Sequence, residues 1–340
     1  MPDLVCFGEA MLRLSPAHFH RLEQLHQLDA HIGGSEFNVA VGAARLGLDT
    51  AWITALPDNP LGRLARNKAR EHGVQMPATV WAAHSRLGLY FVEMGAAPRP
   101  SAVLYDRAHS AMADLQAGAF DWPAIVAGAR AFHTSGITPA LGPGPAAEAA
   151  TALRAARQAG CCTSYDLNYR NRLWTPQEAR RVQTPLMEHV DLLITTEEDA
   201  SVVFGITPKD ADPTYAQLDA DQYAQVARAL AEKFGVKAVA ITMRKNPSVW
   251  RNFWSALVYE HGRVHRSAEY DIEVVDRIGA GDALAAGLLF SYLRDGSWER
   301  AVAFGAAFSA LKHSIPGDCN LATEAEVERL LASQSLRVAR

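Results

Sequence analysis

The sequence has few cysteines and no hydrophobic run long enough to cross a bilayer. Its four cysteines include the adjacent pair Cys161 and Cys162, and none follows the spacing of a metal site. They are interpreted as small buried residues, so neither a disulfide framework nor a zinc site is predicted. No segment approaches the roughly 20 apolar residues of a membrane span, and the N-terminus lacks a basic segment followed by an apolar one. We expect a soluble, cytoplasmic protein.

An excess of charge of one sign is also missing. Lys and Arg number 33 against 37 Asp and Glu, which gives a formal net charge of −4. No strong positive field would attract nucleic acid or an anionic membrane, so neither partner is expected. The common nucleotide loops are missing too, since no GxxxxGK[ST] sequence occurs and no GxGxxG follows a strand. Any phosphate site must therefore be built from another kind of loop.

Hydrophobic residues make up 49% of the 340 residues, enough for a large core. The length permits two modest domains or one large one, and we favour a single domain over 1–340. From about residue 130 onward, strand-like and helix-like segments alternate. Such alternation indicates an α/β fold with a mostly parallel central sheet flanked by helices.

A second, smaller sheet is predicted in the N-terminal half. Between residues 79 and 107, three strand-like stretches follow one another without a helix, separated by Gly and Pro turns. We expect a small antiparallel sheet here. The segments near 10–32 and 79–110 would form it as a lid inserted in the single domain.

The stretch DRIGAGDALAAG, residues 276–287, places glycines between two acids at the start of an apolar helix. Unpaired amides at a helix N-terminus bind anions, and small residues let a phosphate approach the backbone. Gly279, Ala280 and Gly281 would thus hold a phosphoryl group without lysine. Asp282 would accept a proton from a hydroxyl attacking that phosphate. Alternatively Asp282 only caps its helix, and the motif alone leaves both interpretations open.

Two motifs together resemble the ribokinase-like (PfkB-type) carbohydrate kinases. GGSEFNVAVGAARLG (33–47) and DRIGAGDALAAG match in order and spacing, and the resemblance covers essentially the whole chain. Within that family, HTSGITPAL (133–141), DLNYRNRLW (166–174), GLYFVE (88–93) and VLYDRAHSA (103–111) are most similar to 2-keto-3-deoxygluconate kinases. The resemblance implies a ribokinase-like three-layer fold, a β lid, ATP with Mg²⁺, and a homodimer through the lid. A monovalent cation is a further candidate that the sequence leaves open.

The resemblance also implies roles for particular residues. Asp282 is the expected base, with the amides of 279–282 around the transferred group. The expected substrate-binding residues are Gly34, Ser35, Glu36, Phe37, Asn38, Tyr90, Tyr105, Arg107, Arg170 and Asp318. The expected nucleotide-binding residues are Asn168, Thr242, Arg244, Gly279 and Gly281.

Two arginines favour an acidic sugar. Tyr105 and Arg107 are two apart on a predicted strand and share a face, and Asn168 and Arg170 repeat that spacing. Guanidinium groups pair bidentately with carboxylates, whereas a neutral sugar needs no such pair. The alternative is that both arginines are solvated surface residues.

Three features depart from the family pattern. The segment 238–260 lacks the family's glycine turn and carries Arg244, Lys245 and Arg251, which either replace backbone contacts to phosphate or belong to a surface hairpin. The family's magnesium element is replaced by a segment in which Asp199 and Glu198 are the candidate ligands.

The third departure is Asp106. It lies between Tyr105 and Arg107, where it would weaken recognition of a carboxylate.

These observations predict an ATP-dependent kinase that phosphorylates the primary hydroxyl of a small sugar acid, with 2-keto-3-deoxygluconate first. One alternative is a neutral-sugar kinase of the same family, acting on fructose, ribose or a related sugar. The other is a sugar-binding regulator without turnover, suggested by the missing nucleotide glycines.

Overall fold

A computed structural model describes residues 1–208 and 219–332. The strands in it are, in chain order, β1 (Leu4–Phe7), β2 (Met11–Pro16), β3 (Leu28–Gly33), β4 (Thr50–Pro57), β5 (Thr79–Ala82), β6 (Gly88–Glu93), β7 (Ala102–Asp106), β8 (Ala131–Ser135), β9 (Cys162–Asp166), β10 (Leu192–Thr195), β11 (Ala238–Ser248), β12 (Arg251–Glu260), β13 (Arg263–Arg266) and β14 (Tyr270–Glu273). The helices are α1 (Ser35–Arg45), α2 (Pro60–Glu71), α3 (Trp122–Val126), α4 (Ile137–Ala140), α5 (Pro143–Gln158), α6 (Pro176–Leu186), α7 (Glu197–Phe204), α8 (Ala220–Phe234), α9 (Ala280–Asp295), α10 (Trp298–Lys312) and α11 (Glu324–Ala332).

The large sheet has the strand order β13-β12-β11-β10-β9-β8-β1-β4-β5, and β14 pairs with β12. The strands from β5 to β11 along this order are parallel, while β12 is antiparallel to β11. The α/β prediction with a mostly parallel sheet flanked by helices is confirmed. Because parallel strands are covered on both faces, they are apolar on both, and all eight residues of β4 are buried.

The small sheet has the order β3-β2-β6-β7. The pairs β2–β3 and β6–β7 are antiparallel, but β2 and β6 run parallel, so the sheet is mixed. The segment expected to begin this sheet, β5, instead pairs parallel with β4 at the edge of the large sheet. The reason is that α2 crosses between β4 and β5, which makes them a β-α-β unit.

Two apolar clusters cover the two faces of the large sheet. On one face α9 packs closely against α10. The helices approach so closely that a Cβ added at Gly287 would lie 2.7 Å from the Cα of Gly305. This close packing places the N-terminus of α9 at the carboxyl edge of the strands, where ligands bind in sheets of this kind. Among the described helices, none is long and apolar enough to span a membrane.

Candidate active site

The loop before α9 has the geometry that the motif predicts. Gly279 has φ +84°, and a Cβ there would lie 1.9 Å from the carbonyl oxygen of Asp318, so only glycine fits. A Cβ at Gly281 would meet no protein atom within 4 Å. Packing therefore does not require glycine at 281, and its small size leaves open space beside the helix N-terminus.

This loop forms part of a cavity of about 730 Å³ at the carboxyl edge of the sheet. Most of the predicted site residues line it: Gly34, Ser35, Asn38, Tyr90, Tyr105, Arg107, Asn168, Arg170, Glu198, Asp199, Thr242, Arg244, Gly279, Ala280, Gly281, Asp282 and Asp318. Segments far apart in the chain thus converge on one space, as the carboxyl-edge rule predicts.

Asp282 is held by α1 across the cavity floor. Ser35 Oγ donates to its Oδ1 at 2.7 Å, and Asn38 Nδ2 donates to its Oδ2 at 2.7 Å. Helix α9 begins at Ala280 with Gly279 as its N-cap, and Asp282 in its first turn makes no capping hydrogen bond but is held by α1, so the helix-cap interpretation does not describe this aspartate. Burial raises the pKa of Asp282, while the hydrogen bonds from Asn38 and Ser35 oppose that shift. A fixed carboxylate of raised pKa suits a general base.

Glu36 and Phe37, expected at the sugar site, do not line the cavity. Ser35 and Asn38 lie on the cavity face of α1, and the intervening residues point into the protein because of the 3.6-residue period. Glu36 Oε1 accepts from Ser135 N at 2.9 Å, Ser135 Oγ at 2.7 Å and Thr138 Oγ1 at 2.9 Å. Burial raises the pKa of Glu36 to about 7. Glu36 thus anchors the start of α1 beneath the site.

The small sheet supplies one wall of the cavity. The Tyr90 and Tyr105 rings stack with centroids 5.8 Å apart, and the Tyr90 hydroxyl donates to Asp318. Arg107 is buried and donates to Glu9, which also accepts from Ser110. Arg107 Nε is buried without a hydrogen-bond partner among the described residues. This wall therefore offers aromatic faces and one unused guanidinium donor.

Asp106 does not enter this wall. Its carboxylate pairs with Arg86 at 2.6 and 2.8 Å on the exposed side of β7. The expectation that Asp106 would weaken carboxylate recognition at the site is therefore wrong. Strand alternation, which places Tyr105 and Arg107 on the cavity side, turns Asp106 away from it.

Arg170 lies among the carboxylates of the site. Its Nη1 donates to the carbonyl oxygen of Tyr169 at 3.0 Å. Its charge lowers the pKa of Asp166, Asp199 and Asp282, each of which burial raises more strongly. Arg170 thus provides positive charge near each of these carboxylates, and because it is half-buried it is not a solvated surface arginine.

The other end of the cavity is formed by β11, β12 and the start of α7. Of the three basic residues in 238–260, only Arg244 lines the cavity. Lys245 lies 4.0 Å from Glu269, and Arg251 pairs with Asp271 at 2.7 Å. The segment 238–260 is a long hairpin, as the surface-hairpin alternative predicts. Arg244 is the basic side chain that this hairpin adds to the cavity.

The candidate magnesium ligands lie at this end too. Asp199 Oδ2 accepts from Tyr169 N at 3.3 Å, and burial raises the pKa of Asp199 to about 6. Glu198 is exposed at the cavity. In the described part of the chain, no three His, Cys, Asp or Glu side chains are grouped to hold a metal ion. Two carboxylates suit an ion that takes its other ligands from phosphate and water, as Mg²⁺ does.

Comparison with known proteins identifies the family. Residues 1–325 match the model of the pfkB family of carbohydrate kinases. The chain belongs to the PfkB family. A 2-dehydro-3-deoxygalactonokinase from Haloferax volcanii is 39% identical over 97% of this chain and 96% of its own length. A 2-dehydro-3-deoxygluconokinase structure from Thermotoga maritima is 43% identical, with a TM-score of 0.92 over 97% of this chain and 98% of that one.

The prediction of an ATP-dependent carbohydrate kinase is confirmed. PfkB kinases use ATP, and a fructokinase from Xylella fastidiosa solved with bound ATP shares the fold, with a TM-score of 0.78 over 98% of this chain and 99% of that one at 20% identity. The sequence analysis gave no role to several residues in or behind the site of this PfkB kinase: Asp166 and Arg277 line the cavity, whereas Glu9, Arg13 and Asp276 hold residues that line it. Asp166, Asp276 and Arg277 lay inside quoted motifs, and Asp276 is one of the two acids that flank the glycines. Arg13 carried a weaker signal, a lone charge in the apolar strand β2.

Proposed function

We propose that this kinase transfers the γ-phosphoryl group of ATP to the primary hydroxyl of a 2-keto-3-deoxy sugar acid. The first candidate is 2-keto-3-deoxygluconate, and the second is its galacto epimer. The observation that carries the proposal is Asp282, fixed by Ser35 and Asn38 between the helix N-terminus and the wall formed by Tyr90, Tyr105 and Arg107. The names of the two relatives at 39% and 43% identity support the same substrate class.

In this mechanism Asp282 accepts the proton of the attacking hydroxyl. The hydroxyl oxygen forms a bond to the γ-phosphorus, the bond from that phosphorus to the β–γ bridging oxygen breaks, and ADP leaves. The amides at 279–282 hold the negative charge of the transferred group. Asp199 and Glu198 would hold Mg²⁺, which neutralises phosphate charge when bound. Because burial raises the pKa of Asp282, the rate constant kcat/KM should fall as pH drops through that pKa.

Recognition of the acid is assigned to Arg107, with Arg170 adding positive charge at the centre. Arg107 is only 8% exposed, and its unpartnered Nε can donate to a substrate carboxylate. A charge-assisted hydrogen bond in a dry pocket is stronger than one to a neutral hydroxyl. The neutral-sugar alternative would give this donor only a weaker, uncharged acceptor, and the regulator alternative gives Asp282 no task.

The small sheet is proposed to act as a lid over the sugar and as the contact in a homodimer. Leu104 on β7 is 54% exposed on the face opposite to Tyr105, where a second copy would cover it. The proposal places the reaction in the cytoplasm. Dependence on a monovalent cation is tested by exchanging Na⁺ for K⁺ in the assay below.

The test is ADP release measured on 2-keto-3-deoxygluconate, its galacto epimer, gluconate, fructose and ribose. The wild type should prefer a keto-deoxy acid, and Asp282→Asn should lose at least about 1,000-fold in kcat. Asp295→Asn, at the other end of α9, is the matched control and should keep full activity. Turnover of fructose or ribose alone would refute the acid substrate.

Arg107→Ala separates the two kinase hypotheses. We expect KM for the acid to rise about tenfold while KM for any neutral sugar stays constant. Arg86→Ala, which removes an exposed arginine that pairs with Asp106, is the control. An unchanged KM for the acid in Arg107→Ala would remove the main physical support for acid recognition.

A further inference from the structure

One buried arginine joins the small sheet to both loops that carry the chemistry. Arg13 on β2 is 3% exposed. Its Nη1 lies 2.7 Å from Asp276 Oδ2 and 2.9 Å from Asp318 Oδ1, and its Nε donates to Ser15 Oγ at 3.0 Å. We propose that Arg13 is a positioning residue that sets the geometry of the loop at 277–281 when the small sheet closes on the sugar. This inference rests on the proposed function.

Asp276 ties Arg13 directly to the phosphoryl loop. It immediately precedes that loop, and its Oδ1 accepts from the amide of Ile278 at 3.0 Å. Its Oδ2 accepts from the amide of Gly317 at 3.0 Å, so the same carboxylate also holds the turn that carries Asp318. A shift of Arg13 would therefore move both segments relative to Asp282.

Asp318 ties Arg13 to the sugar wall. Arg13 is the direct neighbour of Tyr90 across β2 and β6, and Tyr90 is the direct neighbour of Tyr105 across β6 and β7. Such neighbours share a face of the sheet. Arg13 and Tyr90 both contact Asp318, while Tyr105 lines the cavity. One row of side chains thus runs from the sugar wall to the phosphoryl loop.

Lys312 lies behind this cluster. It is fully buried and donates from Nζ to the carbonyl oxygens of Asp276 at 3.2 Å and Ile315 at 2.9 Å. Burial lowers the pKa of Lys312, while the nearby charges of Asp276 and Asp318 oppose that shift. Arg13 is the cation that pairs directly with both carboxylates. Removing one partner of a buried ion pair leaves the other charge buried and uncompensated. The segment that carries the remaining charge is then expected to move. A lysine at 13 would keep the charge but could not bridge two carboxylates and Ser15 as a planar guanidinium does.

The experiment compares Arg13→Met and Arg13→Lys with Arg86→Met, which removes an exposed arginine. We expect kcat to fall about 100-fold in Arg13→Met and about tenfold in Arg13→Lys, with KM for ATP changing less than threefold, since a misplacement near 1 Å costs that much. Arg86→Met should match the wild type. A purely structural role would lower the yield or the melting temperature and leave kcat per folded molecule unchanged.

Amide hydrogen exchange provides a readout that needs no substrate. The amides of 277–282 should exchange at least about tenfold faster in Arg13→Met than in wild type, while those of β8 stay constant. Wild type that turns over no acid would refute the proposed substrate, but the exchange comparison would still decide the role of Arg13. Should Arg13→Met not fold, Arg13→Lys and Asp276→Asn replace it. Exchange at 277–282 equal to wild type, or kcat within threefold, overturns the inference.

Discussion

The two ends of the cavity are built differently. At the sugar end, Tyr90, Arg107 and Asp318 are 3, 8 and 3% exposed and already hold protein partners. At the nucleotide end, Arg244 and Glu198 are exposed. Side chains that are ordered before binding lose little conformational entropy when the ligand binds, whereas exposed side chains must be ordered by the ligand itself. We therefore propose that this kinase selects its sugar with a rigid wall and binds the nucleotide at a more adaptable one.

Among the substitutions that test this comparison, one at the junction of the two ends should have the largest effect. Gly281→Ala places a methyl group in the open space beside the helix N-terminus, where the phosphoryl group would approach. We expect kcat/KM to fall about 100-fold with no loss of stability, because alanine is favoured over glycine in a helix by up to about 1 kcal/mol. Steady-state kinetics and thermal unfolding measure the two effects.

Gly287→Ala is the matched control in the same helix. Its added Cβ would lie 2.7 Å from the Cα of Gly305, so it should lose stability. Activity of Gly281→Ala within threefold of wild type would mean that no ligand group occupies the space beside 281.

A substitution at the nucleotide end tests whether that end acts separately. Arg244→Ala should raise KM for ATP about tenfold and leave KM for the sugar unchanged, since loss of one charged phosphate contact costs about 1.4 kcal/mol. Lys245→Ala, one residue along β11 and outside the cavity, is the control. Equal KM values for ATP in Arg244→Ala and wild type would show that the arginine does not replace the missing glycine turn.

The smallest expected effect on activity lies beneath the sugar end, where a substitution should change stability instead. Folding raises the pKa of Glu36 from 4.5 to about 7, so this carboxyl takes up a proton on folding between those pH values and stability falls as pH rises through them. Glu36→Gln removes this dependence. We expect the variant to gain on the order of 3 kcal/mol over wild type at pH 8 and nothing at pH 4. Denaturant unfolding at both pH values measures this, and a pH-independent difference would contradict it.

Sequence patterns predicted some features better than others. The helix after Gly279 and the shared face of Tyr105 and Arg107 follow from short spacings, and both are present. The same alternation places Asp106 on the opposite face of β7, away from the cavity. The helical period likewise separates Asn38 from Glu36. Both corrections therefore agree with the local pattern.

Other features depended on contacts between distant segments. In sequence, strand β5 resembles the next two strands of the chain, β6 and β7. Only its pairing with β4 assigns it to the large sheet. Arg13 reads as a lone charge in an apolar strand, and its partners lie 263 and 305 residues away in the chain.

The sequence by itself determined the class of fold and the start of a helix after Gly279 with Asp282 in its first turn, because each follows from the local spacing of residue types. Tertiary structure alone decided which arginines face the cavity, that Glu36 lies beneath it, and that Arg13 joins the two loops. The physical reason is that burial and charge pairing depend on which segments meet in space, and local spacing does not specify that.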